Sequence, residues 1–478
     1  MHASSRVETA VVGAGLAGLT AAYRLQEAGV SYALLEANPT RVGGRCWSAR
    51  EFANGQNAEH GGEGLDSRHR HVLDLARELG AELVDTFSEA VGVTPAGDRV
   101  LRQHRGRSVP EDEYAADRRL VRDALLADLD RRGLAVTDIG FGSEPPAAAA
   151  DLDALSVREW VQLNIEGGAG SRAGMSYLND MSSLDGTEAN QISACMMLQE
   201  YDVMIGSVLG EEGLGEDRQA DERYRVRGGN DGIVRRLRAA LPDEAVHLGA
   251  RLTRLQRTDD GLHVLELGDG STVVADSVIL ALPFTTLRRV DLSGAGFSAP
   301  KMEAIRELGL AAVTKLIMQL DRRVGDFAGW SGYFVNDEPR FALYENTTHQ
   351  PGDTSIMTAY FGGSGAGNLP VSVVHGEVGP DVTGPVLDIV DRHVPGLAEA
   401  FTGTAWLDSW ADDENCYGAY SMFRPGQFTR FWRAAGTPEG PVFFAGEHTS
   451  TAHRGYLNGA VETGDLAARQ AIDLLAQR

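Results

Sequence analysis

The stretch from Glu8 to Glu36 constrains the fold more than any other part of the chain. Glu8-Thr9-Ala10-Val11-Val12 reads as a buried strand, Gly13-Ala14-Gly15-Leu16-Ala17-Gly18 as a glycine turn, the residues through Glu27 as a helix stopped by Gly29, and Ser31 to Glu36 as a second apolar strand. Strand, turn, helix and strand in so short a span make a β-α-β unit with a right-handed crossover. Gly13, Gly15 and Gly18 satisfy the dinucleotide fingerprint: the first allows the tight turn, the second lets a pyrophosphate approach the backbone, and the third lets helix and strand pack closely. Leu16 and Ala17 open the helix, whose free N–H groups and partial positive charge face the anion. Glu36, followed by Ala37, ends the second strand, where a carboxylate accepts both hydroxyls of an adenosine ribose and repels a 2′-phosphate. NADP is therefore disfavoured, but the unit alone does not separate FAD from NAD.

At 478 residues the chain is too long for one ordinary core, so two domains are expected. The net charge of −24 argues against a nucleic-acid or anionic-membrane partner, since a phosphate surface would be repelled. The three cysteines, Cys46, Cys195 and Cys416, are odd in number and lack metal-ligand spacing, which fits a reduced cytoplasmic compartment and no metal. The chain shows neither a charged-then-apolar leader nor an apolar run near the ~18 residues of a membrane helix. Among 44 basic residues only Lys301 and Lys315 are lysines, so each stands out.

Further along, periodicity predicts a helix and strand over Val72 to Val84, a helix from Arg118 to Arg132, a loop over residues 140–150, and a helix from Ser156 to Leu163. A strand at Tyr224 leads through glycines into a helix from Gly232 to Leu241. Strands are expected at Val246 to Arg257, His263 to Leu267, Asp276 to Leu282, Val313 to Leu320, around Tyr333 and Ile356, and at Val442 to Ala445. Gly362 to Gly367 reads as a flexible loop, and Gly459 to Ala476 as a closing helix. The fold class is α/β: a Rossmann-type FAD-binding domain with a discontinuous α+β substrate-binding domain. The FAD-binding domain is expected from residues 1–85, 222–292 and 436–478, and the substrate domain from 86–221, largely helical, and 293–435, of mixed sheet and helices.

Arg41-Val42-Gly43-Gly44-Arg45 follows Glu36 closely; its glycines permit close approach to a cofactor and its arginines neutralise a diphosphate. Together with Gly61-Gly62, Ala275-Asp276-x-Val278-Ile279-x-Ala281-x-Pro283, Thr314-Lys315, and Ala445-Gly446-Glu447-His448 through Gly455-Tyr456-x-x-Gly459-Ala460, this segment makes the chain resemble the flavin amine oxidase family. That family includes monoamine oxidases, polyamine oxidases, L-amino-acid oxidases and bacterial nicotine oxidases. The resemblance implies FAD, held by Gly13, Gly15, Leu16, Ala17, Gly18, Glu36, Ala37, Gly43, Gly44, Arg45, Ala281, Gly446, Glu447 and Gly455. It also implies that Gly61, Gly62 and Glu63 lie against the flavin ring, that the Leu252 backbone contacts the adenine, and that the closing helix starts near the pyrimidine side of the ring.

Lys315 lies in an apolar strand, where an unpaired ammonium is costly. The matching lysine of the family holds a water against flavin N5; the alternative is a snorkelling edge-strand lysine. Tyr420 and Tyr456 are the implied aromatic cage, flanking the flavin, aligning an amine and excluding water. Monoamine oxidases carry a flavin-linking cysteine directly before that first tyrosine. Here Ala419 stands there and Cys416 is out of register, so FAD is expected to be non-covalent. Glu63 stands where amino-acid oxidases often place an arginine; it either contacts the substrate or forms an internal ion pair with Arg45 or another arginine. His60 and Glu59 read as structural neighbours.

The implied reaction removes hydride from a carbon bearing an amine, passing it to flavin N5, with reoxidation by O₂ giving H₂O₂. The expected catalytic residues are Lys315, Tyr420 and Tyr456, and the substrate contacts Glu63, Tyr420 and Tyr456. One alternative is an L-amino-acid oxidase or a flavin desaturase, needing a cavity cation such as Arg454 or Arg340; another is a non-catalytic FAD-bearing binding protein. The expected partners are a small-molecule amine and O₂, with the assembly open between monomer and homodimer.

Overall fold

Buried runs from distant parts of the chain assemble into two eight-stranded sheets. The computed structural model describes residues 5–88, 100–139, 142, 144–210, 221–327, 329–370 and 373–477. In the first sheet, strand Ser5–Val12 lies between Tyr32–Glu36 and Thr272–Leu280, parallel to both, with Val12 opposite Leu35 and Leu280. Val246–Leu248 extends the sheet beyond Tyr32–Glu36, and Val442–Phe444 pairs with Thr272–Leu280 on the other side. All five residues of Tyr32–Glu36 are buried, as expected of a parallel strand covered on both faces. Helix Leu16–Glu27 covers one face beside the closing helix Leu457–Ala476. The two cross so closely that a Cβ on Gly464 would lie 2.3 Å from the Ala17 carbonyl oxygen.

The expected strand from Val246 to Arg257 is two strands. Gly249 takes a left-handed φ of +71°, and the Ala250 N–H donates to the Glu36 carbonyl. Val246–Leu248 therefore joins one side of the sheet, whereas Leu252–Arg257 joins an antiparallel meander with His263–Leu267 and Thr272–Leu280. This break carries residues 250–253 past Glu36.

The second sheet runs His375–Glu377, Phe401–Ser409, Val313–Leu320, Ser355–Gly362, Arg340–Glu345, Phe334–Asp337, Leu101–His104, Arg107–Ser108. Val313–Leu320 is thus interior, antiparallel to Phe401–Ser409 and Ser355–Gly362, with all eight residues buried. The region expected to be largely helical contributes the hairpin Leu101–His104 and Arg107–Ser108 to this sheet; its residues 89–99 and 211–220 lie outside the described residues. Its long helix starts at Glu111 rather than Arg118, because Glu111, Asp112 and Glu113 fill the first turn and oppose the positive helix end. Helix Val157–Asn164 forms with Ser156 as its cap, closed by the reciprocal bonds of Ser156 and Glu159. Helix Arg70–Glu78 and strand Leu83–Asp85 also form. Gly363–Asn368, read as a loop, closes into a helical turn. Of the loop read over 140–150, residues 140, 141 and 143 lie outside the described residues, and Ala147–Ala149 forms a turn of 3₁₀ helix. Among the described residues no helix is long and apolar enough to cross a membrane.

Candidate active site

A cavity of about 1180 Å³ extends from the end of the first sheet to the face of the second. At the first end it meets the glycine turn. A Cβ on Gly15 would meet nothing within 4 Å, so this position opens a bare backbone onto the cavity. Gly18 does not line the cavity; its missing Cβ would sit 1.8 Å from the Gly13 carbonyl oxygen, so it serves the helix-to-strand contact alone. Gly13, Leu16, Ala17, Ala37, Gly43, Gly44 and Ala281 all line this end. Glu36 is buried, with Oε2 accepting the Ala14 N–H and Oε1 the Asn38 N–H, both at 2.7 Å. Each oxygen keeps a lone pair for a further donor. Burial pushes the Glu36 carboxyl up, against the lowering by those N–H bonds and Arg41. Leu252 lines the cavity beside Ala250, on the segment that the Gly249 break carries past Glu36.

The diphosphate-neutralising role read onto Arg41 and Arg45 divides differently. Arg45 also lines the cavity, and its Nη1 donates to the Ala419 carbonyl and to Glu447 Oε1 at 3.1 Å. Arg41 lines the cavity with its guanidinium over the Trp47 ring at 4.4 Å and one bond to the Gly44 carbonyl. Arg289, absent from the sequence reading, lines the same end over the Tyr417 ring at 3.9 Å. Neither Arg41 nor Arg289 has a carboxylate partner among the described residues.

Glu447 is equally committed. Its carboxylate accepts the Ser421 N–H at 3.1 Å, the Ser421 hydroxyl at 2.6 Å and the Gly455 N–H at 2.9 Å, besides Arg45. It therefore ties together the two segments that carry Tyr420 and Tyr456, instead of presenting a free carboxylate to a ligand. Gly446 lines the cavity at φ +126°. Gly61 and Gly62 line it too, and the protein itself leaves no room for a side chain at either. A Cβ at Gly61 would lie 1.8 Å from the Arg45 carbonyl, and one at Gly62 would lie 2.9 Å from the Leu457 side chain.

At the far end, Lys315 is 5% exposed on the interior strand of the second sheet, which removes the edge-strand reading. Its ammonium donates to the Glu59 carbonyl at 3.0 Å, the Gly61 carbonyl at 2.7 Å and Glu63 Oε1 at 2.8 Å. All three protons end on protein, so a water can be held only by exchange of one of these contacts. Glu63 has its internal partner in Lys315, not in Arg45. Glu59 itself is pushed up to about 8, first by burial and then by Asp231 and Glu63, against the bonds from Ser48 and Asn230.

Tyr420 and Tyr456 line this end as well. The Tyr420 hydroxyl donates to the Leu184 carbonyl and lies 2.6 Å from the Tyr360 hydroxyl. Gly455 also lines the cavity, and a Cβ on it would lie 3.9 Å from the Tyr420 Cβ, so the two segments are neighbours. Burial pushes the Tyr456 hydroxyl well up, with Glu200 adding to it; its ring centroid is 4.7 Å from that of His69. Tyr360 and Tyr344 were not singled out from sequence. Tyr360 stands directly opposite Lys315 across the strand pair, a register that no local signal reveals. Tyr344 is pushed well up by burial and then by Glu63 and Glu222.

Of the cations suggested for an acid substrate, Arg340 is tied to Glu188 at 2.8 Å and does not line the cavity. Arg454 does line it, but packs over the Phe423 ring at 4.1 Å and donates to the His448 carbonyl at 2.8 Å. All three cysteines are buried and free. Cys416 is pushed up to about 12 by burial, then by Asp413, and remains a thiol. His71, His453 and Glu462 come within 4.8 Å of one another; none lines the cavity.

A family model described as flavin-containing amine oxidoreductase matches residues 16–472. L-amino-acid oxidases of Pseudechis australis and Bungarus fasciatus are each 26% identical to this chain, over 98% and 96% of it and 87% and 85% of their own length. Among solved structures, cyclohexylamine oxidase from Brevibacterium oxydans IH-35A superposes with a TM-score of 0.79 at 22% identity, covering 98% of this chain and 99% of the other. A putrescine oxidase bound to putrescine gives 0.78 at 22%, covering 99% and 100%. Both show the same α/β fold.

Proposed function

The chain belongs to the flavin-containing amine oxidoreductase family, and from that premise we propose that it is an FAD-dependent oxidase of small amines. The observation that carries the reading is the continuity of one cavity from the Gly15 backbone and Glu36 to Lys315, Tyr420 and Tyr456. A dinucleotide fits that run. Gly15 leaves room for a pyrophosphate, Glu36 keeps a lone pair on each oxygen for a ribose, and Arg41 and Arg289 offer uncompensated charge. Ala419 before Tyr420, and a Cys416 held as a thiol, favour non-covalent attachment. Three buried free cysteines favour a reducing, cytoplasmic setting.

Bound FAD supplies the two-electron acceptor and returns the electrons to O₂ as H₂O₂. The rest is the work of the chain's own residues. Lys315 fastens the backbone of Glu59 and Gly61 and pairs with Glu63 on the wall where an amine arrives. Tyr420 and Tyr456 orient the amine and exclude water, and Glu447 keeps their two segments in place. No nucleophile is required: the amine needs to be neutral and correctly held. The domain division read from sequence stands as part of this proposal, with the first sheet as cofactor frame and the second as substrate frame.

The similarity to L-amino-acid oxidases favours a second reading, in which an α-carboxylate is bound. Arg225, which lines the cavity and lies 3.6 Å from Glu222, would have to carry it. Anaerobic titration of the purified yellow protein with a broad amine panel tests the main reading: bleaching of the flavin is expected. Protein that binds FAD but is reduced by no amine would leave the non-catalytic alternative. Flavin that stays with acid-precipitated protein would overturn non-covalent attachment.

A further inference from the structure

The far wall of the cavity carries an acid with one oxygen that no described residue satisfies. Asp185 lines the cavity at 4% exposure, and its Oδ2 has no hydrogen-bond partner. It caps the C-terminus of the thirteen-residue helix Arg172–Leu184, the negative end of a helix dipole, where a carboxylate is electrostatically misplaced. Glu200, also lining the cavity, adds its charge to that of Asp185. Burial, and then the neighbouring charge of Glu200, push the Asp185 carboxyl well up. A buried acid in such a position is stabilised by a cation that arrives with the ligand.

We propose that Asp185, supported by Glu200, is the recognition site for a second positive charge on the substrate, so that preferred substrates are amines bearing an additional ammonium or guanidinium group. This rests on the amine oxidase reading and specifies its substrate class. The site is one tyrosine side chain from the cage: the Tyr420 hydroxyl donates to the carbonyl of Leu184, the residue before Asp185. A diamine can therefore present one nitrogen between Tyr420 and Tyr456 while the other reaches Asp185. Glu222 lies on the same cavity, 3.6 Å from Arg225.

The test uses the holoenzyme with a series of n-alkylamines and the α,ω-diamines of equal chain length, read by anaerobic flavin reduction and by peroxide release. A charge-assisted bond predicts a diamine-to-monoamine ratio of kcat/KM of about tenfold or more at the best chain length, expressed in KM. D185N is expected to collapse that ratio towards one and D185E to restore part of it. E200Q gives a smaller fall, and supplies the comparison if D185N does not fold. A wild-type ratio near one, or a ratio that D185N leaves intact, overturns the subsite while amine oxidation stands. Reduction by neither series overturns the oxidase reading and the subsite with it.

Discussion

The two ends of the cavity are built on opposite principles. The nucleotide end is built mainly on a continuous piece of chain, Gly13 to Gly44, joined by Ala250, Leu252, Ala281 and Arg289, and its arginines Arg41 and Arg289 have no carboxylate partner among the described residues. The substrate end is assembled from helix ends and strands far apart in sequence, and Glu63, Asp185, Glu200 and Glu222 make it acidic. The first is shaped for an anion, the second for a cation. The contrast teaches why members of one fold keep the cofactor and change the substrate: the first end is fixed by backbone shape, the second by side chains on separate elements.

Glycine substitutions give the largest effect and break the comparison at its first end. Gly18→Ala drives a Cβ to 1.8 Å from the Gly13 carbonyl, beyond ordinary overpacking of ~1–3 kcal/mol, and should yield little soluble yellow protein. Gly15→Ala meets no protein atom, so it should fold with an unchanged melting temperature yet hold flavin at least tenfold more weakly, read by dialysis and absorbance. Equal effects on folding would contradict the assignment of the two positions.

At the second end, Lys315→Met strands Glu63 and should cost about 3–5 kcal/mol of stability. Adding Glu63→Gln should recover part of the loss of melting temperature but not the turnover. Additive losses in this double-mutant cycle would mean that the pair is not coupled.

Glu59, behind Lys315, sharpens the contrast through pH. Its folded-state carboxyl is raised to about 8, above its value in the unfolded chain. As pH rises from about 4.5, the unfolded state loses that proton first, so stability falls until the folded pKa is passed, by at most about 1.4 kcal/mol per pH unit. Glu59→Gln, whose Oε1 can accept the Asn230 N–H while its amide donates to Ser48 Oγ, should therefore gain melting temperature relative to the native protein as pH rises from 5 to 8. A difference independent of pH would contradict a protonated Glu59.

The smallest effect falls on the cage. Tyr420→Phe keeps the ring and loses the bonds to Tyr360 and Leu184, which should cost about 1 kcal/mol in thermal unfolding and little in KM. Tyr420→Ala should raise KM far more. Similar KM values for the two variants would remove the ring from substrate binding.

The same contrast explains what was legible in the sequence. The β-α-β unit could be read because each of its glycines acts within a few residues of itself. Lys315 stood out because the chain otherwise uses arginine. Its cross-strand neighbour Tyr360 did not, because register between distant strands leaves no local trace. Asp185 and Glu200 carry no local signal, because two helix ends, far in sequence from the rest of the cavity, bring them to one wall. The break at Gly249 was missed because the flanking residues are apolar enough to read as one strand. Arg45 and Glu447 carried motif positions that suggested ligand contact, and the fold also uses both to hold the tyrosine segments.

The central claim is that the substrate end selects cations and rejects acids. Anaerobic stopped-flow reduction of the holoenzyme by an amine and by its α-carboxylated analogue tests it most directly. Given the unsatisfied Asp185 oxygen on that wall, the amine should reduce the flavin about 100-fold faster at equal concentration. Faster reduction by the amino acid would contradict the account and make Arg225 the residue to pursue.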